Sequence, residues 1–390
     1  MKKLLIFFCT LFITGLLACD FSFKGKPVDV EKPGSETWET MRPLHDIYKN
    51  DFLIGNIISP GDLTNTTRNN LLRRHFNTVT AENHMKPDFI APISKPAAGA
   101  AWNYRFSAAD SIVNAANAAG MKVVGHTLVW HSQTPAWMTE GNRITVLANF
   151  EKYVTDVVTH FKGRLMEWDV VNEAFRDGLT NTDANTNWRT CLRFNDSPGQ
   201  PGSGSRWNSV IGNDYIERAF LLAREADPDV KLFYNDYNLN NANKARAVFN
   251  MVKDINERFP NVGGRPLIDG IGMQSHHHIN TDPQSVENSI ILFSSLGVDV
   301  AITELDILAA GTLLQNNPPW NEAAAQKQAE QYAAMFRIFL KHASKISRVT
   351  FWGLDDGTHW RASTGGHAVL LDKDYNLKPA FFAITDPYRF

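Results

Sequence analysis

The sequence predicts an α/β fold, a (β/α)8 barrel closed by parallel strands and built as a single domain. Three observations predict it. Eight short apolar runs of β character recur along the chain. Segments with helical spacing separate them. Most of the runs end in polar or aromatic residues, and a barrel gathers such ends at one mouth.

Taken in order, the runs are Leu53–Ile58, Asn77–Glu82, Lys122–Val129, Glu167–Asn172, Lys231–Asn235, Gly270–Gln274, Val298–Glu304 and Val349–Gly353. Among the intervening segments, Ser107–Ala119 reads as a helix with Ser107 as its N-cap and Gly120 as its stop. Asp214–Glu225 and Ala323–Leu340 read as amphipathic helices. Strand alternating with helix eight times favours a closed parallel sheet. An open doubly wound sheet would want a Gly-rich phosphate turn after its first strand, and Gly55-Asn56-Ile57-Ile58 is not one. The strand ends carry Glu82-Asn83, His126 to His131, Asn172-Glu173, Asn235 with Tyr237, Gln274 with His276, Glu304 with Asp306, and Trp352.

A chain of 390 residues, 43% hydrophobic and 21% charged, can bury a sizeable core. Its formal net charge of −2 gives no electrostatic reason to expect nucleic acid or a polyanion as partner. The N-terminus reads as a processing segment. Lys2 and Lys3 precede an apolar run, Leu4 to Leu17, which falls short of the roughly 20 residues of a membrane span. That run ends in Leu16-Leu17-Ala18-Cys19, which resembles a bacterial lipobox. The resemblance implies cleavage before Cys19, lipidation of its sulfur, and an exported lipoprotein anchored at the periplasmic or cell-surface side of a membrane. An ordinary signal peptide containing a cysteine is the alternative. Residues 1–18 are then the signal, 19–37 a tether rich in Lys, Pro, Gly and Glu, and 38–390 the folded domain. Cys9 leaves with the signal and Cys19 carries lipid, so Cys191 stands alone and no internal disulfide forms.

Two strand-end carboxylates carry the chemistry. Trp168 to Glu173 closes the fourth run, and Ile302 to Asp306 the seventh. Cleaving a glycosidic bond with retention needs one carboxyl to protonate the leaving oxygen. A second must attack the anomeric carbon from the other face, with the two about 5–5.5 Å apart. Strands four and seven lie on opposite sides of a barrel mouth, which suits such a pair. Taken singly, either Glu reads as readily as a surface ion-pair partner.

The residues resemble glycoside hydrolase family 10. The matching stretches are Glu82 to Lys86, Gly125 to Gln133, Trp168 to Phe175, Tyr234 to Asn238, Gly270 to His278, Ile302 to Ile307 and Phe351 to Trp360, in the family's order. The resemblance implies the barrel fold and an endo-β-1,4-xylanase that hydrolyses internal xylan bonds by double displacement. It implies Glu173 as acid/base, Glu304 as nucleophile, and Asn172 as a partner of the sugar 2-OH. It implies that His276, held by Asp306, supports the nucleophile. Glu82, Asn83 and Lys86 become glycone-side contacts. His126, Trp130 and Gln274 line the subsite at the bond being cut, Gln133 is a further substrate contact, Trp352 and Trp360 form apolar walls, and Tyr237 is an aglycone-side platform. Trp130, Trp352 and Tyr237 also read as packing residues.

No metal or organic cofactor is implied. His276-His277-His278 invites a metal reading, but adjacent strand residues point to opposite faces and no third ligand has zinc-site spacing. The expected partners are a xylan or xylo-oligosaccharide substrate and a membrane through the lipid, with no required protein partner. Asn181 to Ser205 departs from the family as an insertion rich in Asn, Gly and Pro. It reads either as a shaper of the leaving-group end or as a solvated excursion. Pro87 and Pro92–Ala101 depart as well. Two other functions stay open: a retaining β-glycosidase on another β-1,4-glycan, and a non-catalytic surface glycan-binding lipoprotein, whose mark would be loss of a catalytic carboxylate.

Overall fold

Nine parallel strands organise the domain: β1 (Leu53–Ile58), β2 (Thr78–Ala81), β3 (Lys122–Trp130), β4 (Glu167–Asn172), β5 (Lys231–Asp236), β6 (Gly270–Met273), β7 (His276–His278), β8 (Asp299–Leu308) and β9 (Ile346–Phe351). Eight of them close into a barrel, because β1 pairs with both β2 and β9 while β6 pairs with β8. This is the predicted (β/α)8 fold, seen in a computed structural model that describes residues 36–194, 204–316 and 318–390. The described residues form one compact unit. The expected signal peptide, Cys19 and nearly all of the tether lie outside the described residues.

The strands are buried on both faces, as parallel strands wrapped by helices must be; every position of β2, β4 and β6 is buried. Close approach needs glycine at two points. A Cβ on Gly125 would lie 2.2 Å from the Trp168 ring, and one on Gly272 would lie 2.4 Å from the Asn235 amide oxygen. The second lets β6 pack beside a side chain at the barrel mouth.

Two expectations need correction. Ser107 is the first helical residue of Ser107–Ala118, and Phe106 occupies the cap with helical dihedrals and no side-chain bond. The ring of Phe106 stacks on His160 and meets Phe161 edge-on, and that packing turns the chain one residue early. The seventh barrel strand also runs past Glu304 to Leu308. Its extension is paired by β7, which aligns His276 with Asp306. The short β7 strand follows a break at Ser275, where φ is 62°.

One ion pair crosses the barrel interior. The Arg348 Nε on β9 donates to Glu167 on β4 at 2.7 Å, and both groups are buried. Asp169, two residues nearer the mouth, lies 3.8 Å from the same guanidinium. Its other oxygen meets His126 Nδ1 at 2.9 Å. A chain of buried charge therefore leads from the interior to the mouth.

Candidate active site

Glu173 follows the last residue of β4 with φ of 57°, and Glu304 projects from β8. Both line one cleft of about 730 Å³. A row of amides joins them. Gln274 Nε2 donates to Glu173 Oε1 at 2.8 Å and to Asn172 Oδ1 at 3.2 Å. Asn235 Nδ2 donates to Asn172 Oδ1 at 3.0 Å and to Glu304 Oε1 at 2.8 Å. Thr303 Oγ1 donates to Asn235 Oδ1 at 2.7 Å, which fixes which end of that amide faces Glu304. The Trp130 indole N–H donates to the other Glu173 oxygen at 2.9 Å.

Glu304 is held as an anion. Burial pushes its carboxyl up, but the hydrogen bond from His276, the charges of His126 and His276 and the Asn235 amide outweigh it and bring it below the ordinary range. His276 Nε2 lies 3.2 Å from Glu304 Oε2, and its Nδ1 lies 2.8 Å from Asp306 Oδ2. Burial alone would lower the imidazole; the Asp306 charge, with hydrogen bonds to both carboxylates, raises it to about 9 instead. Asp306 is fully buried and strongly lowered. Against the cost of burial it has His276, His359 at 3.1 Å, the Trp360 indole at 3.0 Å and Arg361 at 3.2 Å. His277, one residue on, is buried on the opposite face and lowered by burial to about 3. Among the described residues no group of three or more His, Cys, Asp or Glu side chains is arranged to hold a metal.

The other expected contacts meet in this cleft: Glu82, Asn83, Lys86, His126, Trp130, Gln133, Asn172, Tyr237, Gln274, His276, Trp352 and Trp360 all line it. Asp306 stands behind His276. Lys86 donates to Asn83 at 3.0 Å and sits 4.9 Å above the Trp130 ring. Burial lowers it, opposed by Glu304, Glu82 and Glu173. Burial likewise raises Glu82, against the pull of Lys86. Trp352 is buried edge-on to His126, whereas Trp360 is half exposed over the mouth and meets His276 edge-on. Tyr237 donates its hydroxyl to Asp177 and lies beneath the Lys244 ammonium.

Four lining residues were not anticipated: His131, Arg193, Asn238 and Arg361. His131 and Asn238 lie inside stretches already singled out, and Arg361 adjoins Trp360. Arg193 comes from the insertion, whose described part is no solvated excursion. Trp188, Cys191 and Leu192 are buried, and Phe175 bridges antiparallel to Leu192. Residues 195–203 of the insertion lie outside the described residues.

Two carboxylates converge on a barrel cleft from the end of β4 and from β8, one of them fixed as an anion, an arrangement suited to cleaving glycosidic bonds. The chain belongs to glycosyl hydrolase family 10, whose model matches residues 43–387. It is 38% identical over 88% of its length to endo-1,4-beta-xylanase A of Thermotoga maritima, but spans only 30% of that longer protein. It is 37% identical to a beta-1,4-xylanase of Dictyoglomus thermophilum, covering 88% of this chain and 90% of that one. A solved family 10 xylanase from termite gut, which contains a bacterial Ig-like domain, superposes with a TM-score of 0.81 at 35% identity. That match covers 92% of this chain and 80% of the other.

Proposed function

We propose that the protein is an endo-β-1,4-xylanase that acts with retention. The observation that carries the reading is the pairing of a buried, ionised Glu304 with Glu173 across one amide row. In the first step a Glu304 oxygen bonds to the anomeric carbon. The glycosidic C–O bond breaks, and its electron pair stays with the leaving oxygen, which takes a proton from Glu173. A water then attacks the same carbon while the Glu173 carboxylate takes the water's proton. The ester bond to Glu304 breaks and the carboxylate is restored. Two inversions give net retention. Asn172 and Gln274 face the sugar between the carboxylates. Trp352 and Trp360 supply apolar walls, Glu82, Asn83 and Lys86 the glycone side, Gln133 a further contact, and Tyr237 the aglycone side.

The test is xylan hydrolysis by the wild type, Glu173→Ala and Glu304→Ala. Glu304→Ala retaining more than a small residue of the rate overturns the nucleophile assignment. Proton NMR of the first-released anomer checks stereochemistry, and inversion rules out the two-step route. Faster cleavage of cellulose than of arabinoxylan or glucuronoxylan would move the reading to another β-1,4-glycan. The N-terminus completes the proposal: Cys19 carries a lipid and anchors an exported enzyme. A Cys19→Ser chain that still partitions into detergent with the membrane fraction contradicts the anchor.

A further inference from the structure

We infer that Arg193 is a positioning residue that locks the main chain of Glu173 to Tyr237 and thereby sets how well the acid meets the departing oxygen. This rests on the reading of Glu173 as acid/base.

Glu173 is a non-glycine residue at positive φ, a strained conformation that persists only where neighbours over-determine it. Its N–H donates to the Asn235 carbonyl at 2.9 Å, and the next N–H, of Ala174, donates to the Tyr234 hydroxyl at 3.0 Å. Its own carbonyl accepts from Arg193 Nε at 2.9 Å. The same guanidinium donates through Nη2 to the Tyr237 hydroxyl and lies 5.7 Å over that ring. One rigid plane therefore joins the backbone of the acid to the Tyr237 ring, which follows the neighbouring strand β5.

Arg193 is itself fixed from both sides. Its N–H donates to the Ala174 carbonyl at 2.8 Å, and Arg176 N–H donates to the Cys191 carbonyl at 3.0 Å. The segment 191–193 thus docks antiparallel on the loop that carries Glu173. Asn208 Nδ2 holds the Arg193 carbonyl at 2.9 Å. The side chain is buried, so the cation is held in the cleft wall at a desolvation cost. Only a fork with separated N–H donors satisfies both acceptors at once; a lysine ammonium on its single stem reaches one.

Small misplacements of a reacting group lower rates steeply. The fault appears only where the leaving group needs its proton. The experiment compares kcat/KM of wild type, Arg193→Met and Arg193→Lys on two substrates: a xylo-oligosaccharide, whose leaving sugar needs protonation, and 2,4-dinitrophenyl β-xylobioside, whose phenolate departs without it. Arg193→Met is expected to lose on the order of 10- to 100-fold on the oligosaccharide and less than about threefold on the activated glycoside. Arg193→Lys, which keeps the charge, is expected to fall between. Equal losses on both substrates, or no loss on the oligosaccharide, overturn the inference. Glu173→Ala run alongside separates the two readings. If it shows no leaving-group selectivity, the acid/base assignment falls and this inference with it. If it does and Arg193→Met does not, this inference alone falls.

Discussion

Replacing Asp306 with Asn removes one charge and changes no heavy-atom shape. Asp306 contributes most, with Glu304 second, to raising His276 from 6.5 to about 9 against burial. At ~1.36 kcal/mol per unit, that rise is a bias of about 3 kcal/mol toward the imidazolium. In Asp306→Asn the burial remains and the larger of the two opposing carboxylates is gone, so the imidazolium is disfavoured. Glu304 then loses the cation that offsets its own burial, and its carboxyl rises. The assay is the pH dependence of kcat/KM on a soluble xylo-oligosaccharide. The acid limb is expected to move up by about one unit, and the plateau to fall up to about 100-fold if the whole ~3 kcal/mol is expressed in the transition state. The wild type also has an alkaline window. A group whose folded pKa is raised contributes stability that is complete below its unfolded value. That stability is lost as pH rises through about 9. Wild-type stability should therefore decline across 6.5 to 9, and the variant's should not. An acid limb that superimposes on the wild type's would refute the argument that Asp306 works through His276 on Glu304.

Three further outcomes are expected. Trp130→Phe keeps a ring beneath Lys86 but removes the donor to Glu173; a hydrogen bond to the charge that develops on Glu173 as it gives up its proton contributes ~1.5–3 kcal/mol, so kcat/KM should fall about 10- to 150-fold, and an unchanged value would show that this bond has no role in the reaction. Arg348→Met strands the buried Glu167 and Asp169, so urea unfolding should report a loss of about 3–5 kcal/mol, partly recovered by adding Glu167→Gln; a loss under ~1 kcal/mol would contradict the interior ion pair. His75, buried and 2.7 Å from the Trp38 carbonyl, is lowered by burial to about 4. Because the unfolded chain takes up that proton first, stability should fall as pH drops from 6.5 to about 4 and level off below. His75→Gln should flatten that slope in acid denaturation curves, and a slope unchanged by the substitution would count against it.

The barrel was legible because most strands are short, largely buried runs rich in apolar residues that end in chemistry-bearing residues. The polar ends then picked out the cleft side chains, since a parallel barrel delivers all such ends to one face. What stayed hidden came from long-range pairing. The length of β8 depends on a three-residue strand that follows a break at Ser275, and three residues carry no period of their own. The Ser107 cap was misread because the packing of Phe106 on His160 and Phe161 overrides the local preference. Arg193 was lost in an insertion whose Asn, Gly and Pro content looks solvated. The apolar Trp188, Cys191 and Leu192 just before it were the available signal that this part is packed.

The ion pair across the barrel interior also imposes an order of events. Glu167 emerges in synthesis 181 residues before Arg348. Until Arg348 arrives, burial of Glu167 would leave an uncompensated charge, among the most costly states a protein interior can adopt. The half-made barrel therefore has reason to stay open and hydrated around β4. One strand brings the counter-ion and the closure together, because β9 carries Arg348 and seals the sheet between β8 and β1. Commitment to the fold is thus deferred until Arg348 has emerged, and fragments ending before it are expected to be substrates for proteases and chaperones rather than stable partial barrels.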